Sequence, residues 1–280
     1  MSRKAAAMPE ILRELPPTAV VAAIEANEAA YWLYRAALAG WEVVRLADVV
    51  LYRSGEQNVE RNGVLLPRLA PAAAQARVAA ICEHFTTRGL PFLWWELPPE
   101  LEPLVAARGL VLGSRDAGMA ADLSRLPAAL PVPLPAGMRI ERVRDEEGAQ
   151  EWRRALYAGH GESPPTPAPP AIFAPATYDD DEPLRCYLAR RADGTPVATS
   201  QVLLAAGVAG VYCVTTVPQE RRQGIGSAVT HAALLDARAQ GYAVGVLGAT
   251  AFGEGVYRRL GFERYMEMVA YEWYPPPAGK

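Results

Sequence analysis

The spacing of apolar and polar residues along the first half of the chain predicts alternating helices and strands. Residues 15–40 are alanine-rich, with apolar positions at helical spacing, and Gly40 can end that helix. Asn62 and Gly63 predict a hairpin turn. Further helices are predicted at 72–84 and 100–108, and strands rich in β-branched or aromatic residues at 41–46, 49–53, 92–97 and 117–122.

The second half continues the alternation. Asp145 can cap a helix that runs to about residue 157, and apolar residues at helical spacing predict another helix from about Gly226 to Gly241. Asp193 and Gly194 predict a hairpin turn. Strands are predicted at 138–143, 184–190, 197–204, 211–217, 242–248 and 266–273. The whole pattern predicts a mixed α/β fold.

Proline-rich segments interrupt this pattern. Residues 126–137 carry prolines at 127, 131, 133 and 135, so they are predicted to be a linker between domains 1–125 and 138–280. Residues 163–170 are predicted to form a proline-dense loop, and residues 275–280 a frayed end.

The turn between the strand at 211–217 and the following helix has the composition of an anion site. Pro218 ends the strand, and Gly224 and Gly226 let an anion approach backbone N–H groups at the positive end of a helix. No lysine follows the glycines as a Walker loop requires, and Val229 stands where the dinucleotide fingerprint needs a third glycine. The turn therefore predicts a site for phosphate or diphosphate.

The segment TVPQERRQGIG, residues 216–226, resembles the acetyl-CoA-binding motif of the GNAT-type N-acetyltransferases, with Thr216 in place of the usual valine. A second segment, in which Tyr257 precedes Gly261 and Phe262, is similar to the last helix of that family and the strand after it. The resemblance implies a mixed, mostly antiparallel sheet flanked by helices.

An internal repeat extends the resemblance to the first half. A constant shift of 152 positions places Gly241 on Gly89 and Gly261 on Gly109. The same shift places Gly224 and Gly226 on Ala72 and Ala74, Arg221 on Leu69 and Tyr257 on Val105. We therefore expect two tandem GNAT-like domains, of which the N-terminal copy is a degenerate scaffold that binds no coenzyme A.

The resemblance also implies roles for individual residues. Tyr257 would be the general acid that protonates the leaving thiolate, although a tyrosine here could also merely pack the last helix. Thr250 stands where an asparagine often contacts pantetheine. Backbone groups would bind acetyl-CoA, with the pantetheine arm along Val214, Thr215, Thr216 and Val217 and the diphosphate at the amides of Arg222, Gln223, Gly224, Ile225, Gly226 and Ser227.

The sequence does not identify a general base. Members of the family often place a glutamate on the central strand, where this chain has Tyr212, Cys213, Thr215 and Thr216. Cys213 has the character of a small buried residue rather than a nucleophile. The acidic turn at 179–182 has the character of a solvated loop.

Composition excludes several other classes of function. The net charge of −3 argues against general binding of nucleic acid, and no apolar run is long enough for a membrane span. Three cysteines and three histidines without metal-ligand spacing predict neither a disulfide framework nor a metal site. A cytoplasmic monomer or homodimer is expected.

The sequence thus predicts an acyltransferase that moves the acetyl group of acetyl-CoA to a primary amine of a small molecule or peptide. The absence of a credible covalent nucleophile implies direct attack in a ternary complex. Two alternatives stay open: a non-catalytic protein that binds or senses acyl-CoA, and an acyltransferase that uses a different acyl-CoA.

Overall fold

The computed structural model describes residues 10–127, 129–130, 133–163 and 174–276, which form a mixed α/β structure as the sequence predicts. The helices are α1 (Pro17–Ala39), α2 (Ala74–Thr86), α3 (Glu102–Ala106), α4 (Glu146–His160), α5 (Ile225–Ala239) and α6 (Glu254–Arg258). The strands are β1 (Glu42–Arg45), β2 (Val50–Arg53), β3 (Asn62–Leu65), β4 (Phe92–Trp94), β5 (Val111–Asp122), β6 (Arg139–Arg142), β7 (Leu184–Arg190), β8 (Pro196–Ala205), β9 (Val208–Thr216), β10 (Val244–Ala249) and β11 (Glu263–Trp273). Most of the predicted loop at 163–170 lies outside the described residues.

The chain divides into two compact units, and neither is continuous in sequence. One unit combines Met1–Ala30 with Gly118–Tyr265, and the other combines Tyr31–Ala117 with Met266–Lys280. The predicted linker at 126–137 therefore lies within the first unit. The predicted division into two homologous domains stays a prediction, because compactness does not report on internal repetition.

In the first unit, β6, β7, β8 and β9 form consecutive antiparallel pairs, and β9 pairs in parallel with β10. Helices α4 and α5 cover opposite faces of this sheet. Cys186 and Leu188 of β7 pack with Trp152 of α4, whereas the intervening Tyr187 donates a hydrogen bond to Asp236 of α5. Alternate residues of a strand face opposite sides, so the sheet is buried between two helical layers.

The second unit has its own set of paired strands and its own core. Strands β1, β2 and β3 are antiparallel, β3 and β4 are parallel, and β4 pairs antiparallel with β11. Phe85 of α2 stacks on Phe92 of β4 with ring centroids 4.5 Å apart. Trp94 and Val105 are fully buried in the same core, which extends from α2 to α3.

Two local predictions from the second half are confirmed. The Asp145 side chain accepts a hydrogen bond of 2.8 Å from the N–H group of Gly148 and caps α4. The turn between β7 and β8 contains Gly194 with a φ of 89°, and the Asp193 side chain accepts a hydrogen bond from the N–H group of Thr195. Both signals are local, which is why the sequence is sufficient to find them.

The predicted hairpin turn at Asn62 and Gly63 is wrong, because these residues begin β3. Gly63 lies opposite Tyr52, and a Cβ atom there would lie 2.6 Å from the tyrosine hydroxyl oxygen. Asn62 is fully buried. Its side-chain oxygen accepts hydrogen bonds from the backbone N–H groups of Ser54 and Gly55, in the preceding loop. Its side-chain nitrogen donates to the carbonyls of Glu56 and Asn58 in that loop and of Pro91, the residue before β4.

Replacement of Asn62 by alanine is expected to destabilise the protein by about 2–4 kcal/mol, because it leaves several buried backbone groups unpaired. Asn58→Ala is the matched control. Asn58 is exposed and caps only a short 3₁₀ turn, so its loss should cost about 0.5–1 kcal/mol. Urea unfolding followed by tryptophan fluorescence measures both changes. Equal effects of the two substitutions would contradict the structural role of Asn62.

Candidate active site

Strand β9 contains a β-bulge near its carboxyl end. Thr199 pairs with Thr215 and Gln201 pairs with Tyr212, so two residues of β9, Cys213 and Val214, oppose one residue of β8. Cys213 has a φ of 51°, in the left-handed region, and its carbonyl accepts a hydrogen bond of 2.8 Å from the Thr199 hydroxyl. Bulges of this kind bend a strand away from its neighbour.

The bulge lies just beyond the last residues through which β9 pairs with β10. Their parallel register is limited to Ala209 with Gly245 and Gly210 with Val246. At Val214 and Thr216, the edge of β9 that faces β10 has no register partner within the described part of the chain. An exposed strand edge of this kind can pair with an extended ligand.

The last residues of β9 are fixed to the neighbouring elements. The N–H group of Val217 donates to the carbonyl of Val197 over 2.9 Å. The Thr215 side chain is buried against Gly159 of α4, where a Cβ atom would lie 2.1 Å from its hydroxyl oxygen. Val214 and Thr216 are half-buried. Because backbone groups alternate in direction along a strand, Val214 and Thr216 direct their polar groups away from β8.

Arg221 holds the turn that follows β9. Its Nε donates to the carbonyl of Thr216 over 3.1 Å, and its Nη2 donates to the carbonyl of Gly159 over 2.7 Å. The Thr216 carbonyl is therefore already bonded within the protein. The Gln223 side chain donates to Glu220, which also pairs with Arg191. These contacts fix the backbone of the turn before any ligand binds.

The amides predicted to bind diphosphate converge at the start of α5. Gly224 has a φ of 79° and is the N-cap residue, with no side-chain cap. The first capped N–H group is that of Ala228, which donates to the carbonyl of Gly224. Among the described residues, the N–H groups of residues 222–227 have no protein acceptor. Ile225 is buried and anchors the turn.

This arrangement fits an anionic group. Six consecutive N–H groups without protein acceptors lie at the positive end of a 15-residue helix. A Cβ atom at Gly226 would lie 3.4 Å from the Thr216 hydroxyl oxygen, and so would enter the gap between α5 and the end of β9. A glycine at this position keeps that gap open.

The second motif forms a compact turn after β10. The carbonyl of Thr250 accepts hydrogen bonds from the N–H groups of Gly253 and Glu254, and its hydroxyl accepts one from Gly253 over 3.2 Å. Thr250 is exposed. Since β9 and β10 are parallel, Thr250, which directly follows β10, lies at the same end of the sheet as the bulge in β9.

Tyr257 lies on α6, one turn after Gly253. A Cβ atom at Gly253 would lie 3.3 Å from the Tyr257 ring, and the ring meets Phe262 edge-to-face with centroids 6.0 Å apart. Among the described contacts, the hydroxyl has no hydrogen-bond partner. Burial raises the pKa of Tyr257 to about 12, so this phenol keeps its proton at neutral pH.

Other residues considered from the sequence have structural roles here. Asp180, in the acidic turn at 179–182, pairs with Arg142 and Arg144, and these guanidinium groups lower the pKa of its carboxyl. Glu182 is buried and accepts hydrogen bonds from Thr177. Within the described ranges, no group of three His, Cys, Asp or Glu side chains could hold a metal ion. No described helix is long and apolar enough to cross a bilayer.

The contacts bring the predicted residues together in two sets. Arg221 joins the end of β9 to the glycine turn, and Gly253 joins Thr250 to Tyr257. Neither the Thr199 hydrogen bond nor the left-handed conformation of Cys213 was predicted from the sequence. A bulge in a strand of β-branched residues has no local signal, because it is defined by the register of the partner strand.

Comparison with known proteins gives a family match to the segment that contains these residues. Residues 200–265, which contain β9, the glycine turn, α5, β10 and α6, match the family model described as an acetyltransferase (GNAT) domain. Enzymes of this family transfer an acyl group from an acyl-CoA to an amine. A comparison with the sequences of curated proteins gives no match.

Several solved structures share the fold. A GCN5-related N-acetyltransferase from Kribbella flavida is 23% identical, with a TM-score of 0.64, over 90% of this chain and 96% of its own. One from Sphaerobacter thermophilus is 17% identical, with a TM-score of 0.64, over 95% and 96%. A tandem GNAT protein from the clavulanic acid biosynthesis pathway is 16% identical, with a TM-score of 0.58, over 97% and 99%.

The family match and the site together support an acyltransferase, as the sequence predicts. Residues 200–265 match the model of a GNAT acetyltransferase domain, in a chain that has the fold of the GCN5-related N-acetyltransferases.

Proposed function

We propose that this protein is an N-acetyltransferase that moves the acetyl group of acetyl-CoA to a primary amine of a small molecule or peptide. One observation carries the proposal: the open edge of β9 leads from the bulge at Cys213 directly to the unpaired amides before α5. An extended thioester arm with a diphosphate at its far end matches both features.

The chain's own groups would hold the coenzyme as follows. The N–H groups of Arg222, Gln223, Gly224, Ile225, Gly226 and Ser227 bind the diphosphate. The polar groups of Val214 and the N–H group of Thr216 pair with the pantetheine arm, and Thr215 and Val217, which are held by β8, keep this segment extended beside it. The Thr250 hydroxyl, which accepts from Gly253, can still donate its own hydrogen to the arm. When bound, acetyl-CoA supplies an activated acyl carbon and a thiolate leaving group.

Tyr257 is the proposed general acid. During transfer, the amine nitrogen bonds to the acyl carbon, the carbon–sulfur bond breaks, and the Tyr257 hydroxyl gives its proton to the sulfur. Solvent then restores the phenol. The raised pKa of Tyr257 keeps the proton available across neutral pH.

The surplus proton of the amine leaves through water in this proposal, because β9 carries no carboxylate. Cys213 is not assigned a covalent role. Its backbone is committed to the bulge and its side chain packs against the core that contains Trp152. Attack is therefore direct, within a ternary complex.

We also propose that the chain contains two tandem GNAT-like copies, 1–125 and 138–280, joined by 126–137. A shift of 152 residues places α6 on α3 and the first residue of β10 on the first residue of β4. One member of each parallel pair obeys the same shift, since Gly245 and Val246 of β10 correspond to Leu93 and Trp94 of β4. The N-terminal copy is a scaffold, because Val105, fully buried, replaces Tyr257 there.

Two other functions compete with this one: an acyl-CoA-binding or sensing protein without catalysis, and an acyltransferase with a different acyl donor. Acetyl-, succinyl- and longer acyl-CoA, each with a panel of amines, would be incubated with the protein, and free thiol and acylated amine measured. Amine-dependent acetyl transfer supports the proposal. Binding of acyl-CoA without transfer supports a sensing protein. Transfer from succinyl-CoA or a longer acyl-CoA, but not from acetyl-CoA, supports an acyltransferase with a different acyl donor.

A cytoplasmic location and a monomeric or homodimeric state stay predictions.

Tyr257→Phe is expected to lower kcat by roughly 10–100-fold, because the leaving thiolate loses its proton donor. The dissociation constant of coenzyme A should stay within about twofold, since the substitution removes no contact to the diphosphate. Steady-state rates and isothermal calorimetry measure the two quantities. A parallel loss of binding and turnover would assign Tyr257 a packing role against Phe262 instead.

Gly226→Ala is expected to weaken coenzyme A binding by at least about tenfold, since its methyl group would enter the gap beside Thr216. The same change should leave the fold intact or stabilise it by up to about 1 kcal/mol, because alanine favours the helix. Gly255→Ala is the control: its Cβ atom would lie 3.9 Å from Arg259 and away from the turn. Unchanged affinity in Gly226→Ala would contradict the diphosphate site.

A further inference from the structure

A buried asparagine of α1 contacts the hairpin that contains the bulge. Asn27 is fully buried, and its Nδ2 donates to the carbonyl of Ala205 over 2.8 Å. Its Oδ1 accepts a hydrogen bond of 2.7 Å from the hydroxyl of Tyr212. A Cβ atom at Gly210 would lie 1.8 Å from that same oxygen, so a glycine is required there for the contact.

The segment before α1 contacts the tip of the same hairpin. Ala206 and Gly207 form the tip, with φ values of 53° and 75°. The N–H group of Leu12 donates to the carbonyl of Gly207 over 3.0 Å, and a Cβ atom at Gly207 would lie 2.2 Å from the carbonyl oxygen of Glu10. Residues 10–27 therefore bind both the tip and the middle of the β8–β9 hairpin.

Tyr212 connects these contacts to the candidate active site. It directly precedes Cys213, the left-handed residue of the bulge. Thr199 of β8 holds the Cys213 carbonyl from one side, and Asn27 holds the Tyr212 hydroxyl from the other. A residue in a sparsely populated backbone conformation persists only where its surroundings fix it, and these two hydrogen bonds are part of the surroundings of Cys213.

We propose that Asn27 and Tyr212 are positioning residues of the acyl-transfer site, which act through their mutual hydrogen bond to hold the bulge and the open edge of β9. The proposal rests on the proposed function for its effect on turnover. Helix α1 would then position the site through Asn27, which is 185 positions distant in the sequence from Tyr212.

Hydrogen exchange tests the restraint on the bulge without any need for turnover. In Tyr212→Phe, amides of residues 211–216 are expected to exchange at least about tenfold faster than in the wild type, because one buried hydrogen bond that resists local opening is lost. Thr199→Val, which is nearly isosteric, should have the same effect from the opposite side. Unchanged exchange at 211–216 in both variants would overturn the proposal.

Tyr187→Phe is the matched control. Tyr187 is buried and also donates its hydroxyl to a side chain, that of Asp236, but it lies on β7 and faces α5. Its loss should leave exchange at 211–216 unchanged. Faster exchange there in the control as well would show that any buried hydroxyl has this effect and would overturn the specific role of Tyr212.

Kinetics test the link to turnover. Tyr212→Phe should lower kcat about tenfold while the dissociation constant of coenzyme A stays within about threefold, since Arg221 rather than Tyr212 fixes the diphosphate turn. The double variant Asn27→Ala/Tyr212→Phe should lose no more than Asn27→Ala alone. Additive losses would overturn the shared mechanism. Absence of acetyl transfer by the wild type would instead contradict the proposed function. The hydrogen-exchange comparison would still test whether the Asn27–Tyr212 hydrogen bond restrains the bulge.

Discussion

The structure of the site depends on one constraint: every buried backbone N–H and C=O group needs a partner, and among the described residues β9 has no register partner on one side at Val214 and Thr216. A strand that stayed flat would continue to pair with β10 and would leave no space. The bulge at Cys213 turns the strand away, and the polar groups beyond it are then available to a molecule outside the protein. The open edge thus coincides with a register shift against β8.

The glycine turn at the start of α5 likewise presents backbone groups that have no acceptor among the described residues. The first N–H groups of any helix lack internal acceptors, and here no side chain replaces them. Arg221 removes the freedom of the turn by binding carbonyls on β9 and α4, so the amides keep their direction before a ligand arrives. Such preorganisation reduces the entropic cost of binding. Tyr257, with its proton retained by burial, lies on the helix that follows the neighbouring strand.

Local signals in the sequence were sufficient for a large part of this account. Asp145, the Asp193–Gly194 turn and the glycines before α5 each act within a few residues, and each lies where it was predicted. Contacts between distant segments were not predictable in this way. Asn62 has the local signature of a turn, yet its side chain binds Pro91, 29 positions away, and the residue begins a buried strand. Asn27 lies in an alanine-rich helix, and only its partners 176 to 185 positions away reveal its role.

The central claim is that coenzyme A lies along the open edge of β9 with its diphosphate at the start of α5. Amide hydrogen exchange of the wild-type protein, with and without saturating coenzyme A, tests this most directly. The account predicts slower exchange in two separate segments, 214–217 and 222–227, upon binding. Protection elsewhere in the chain, with both segments unchanged, would contradict it.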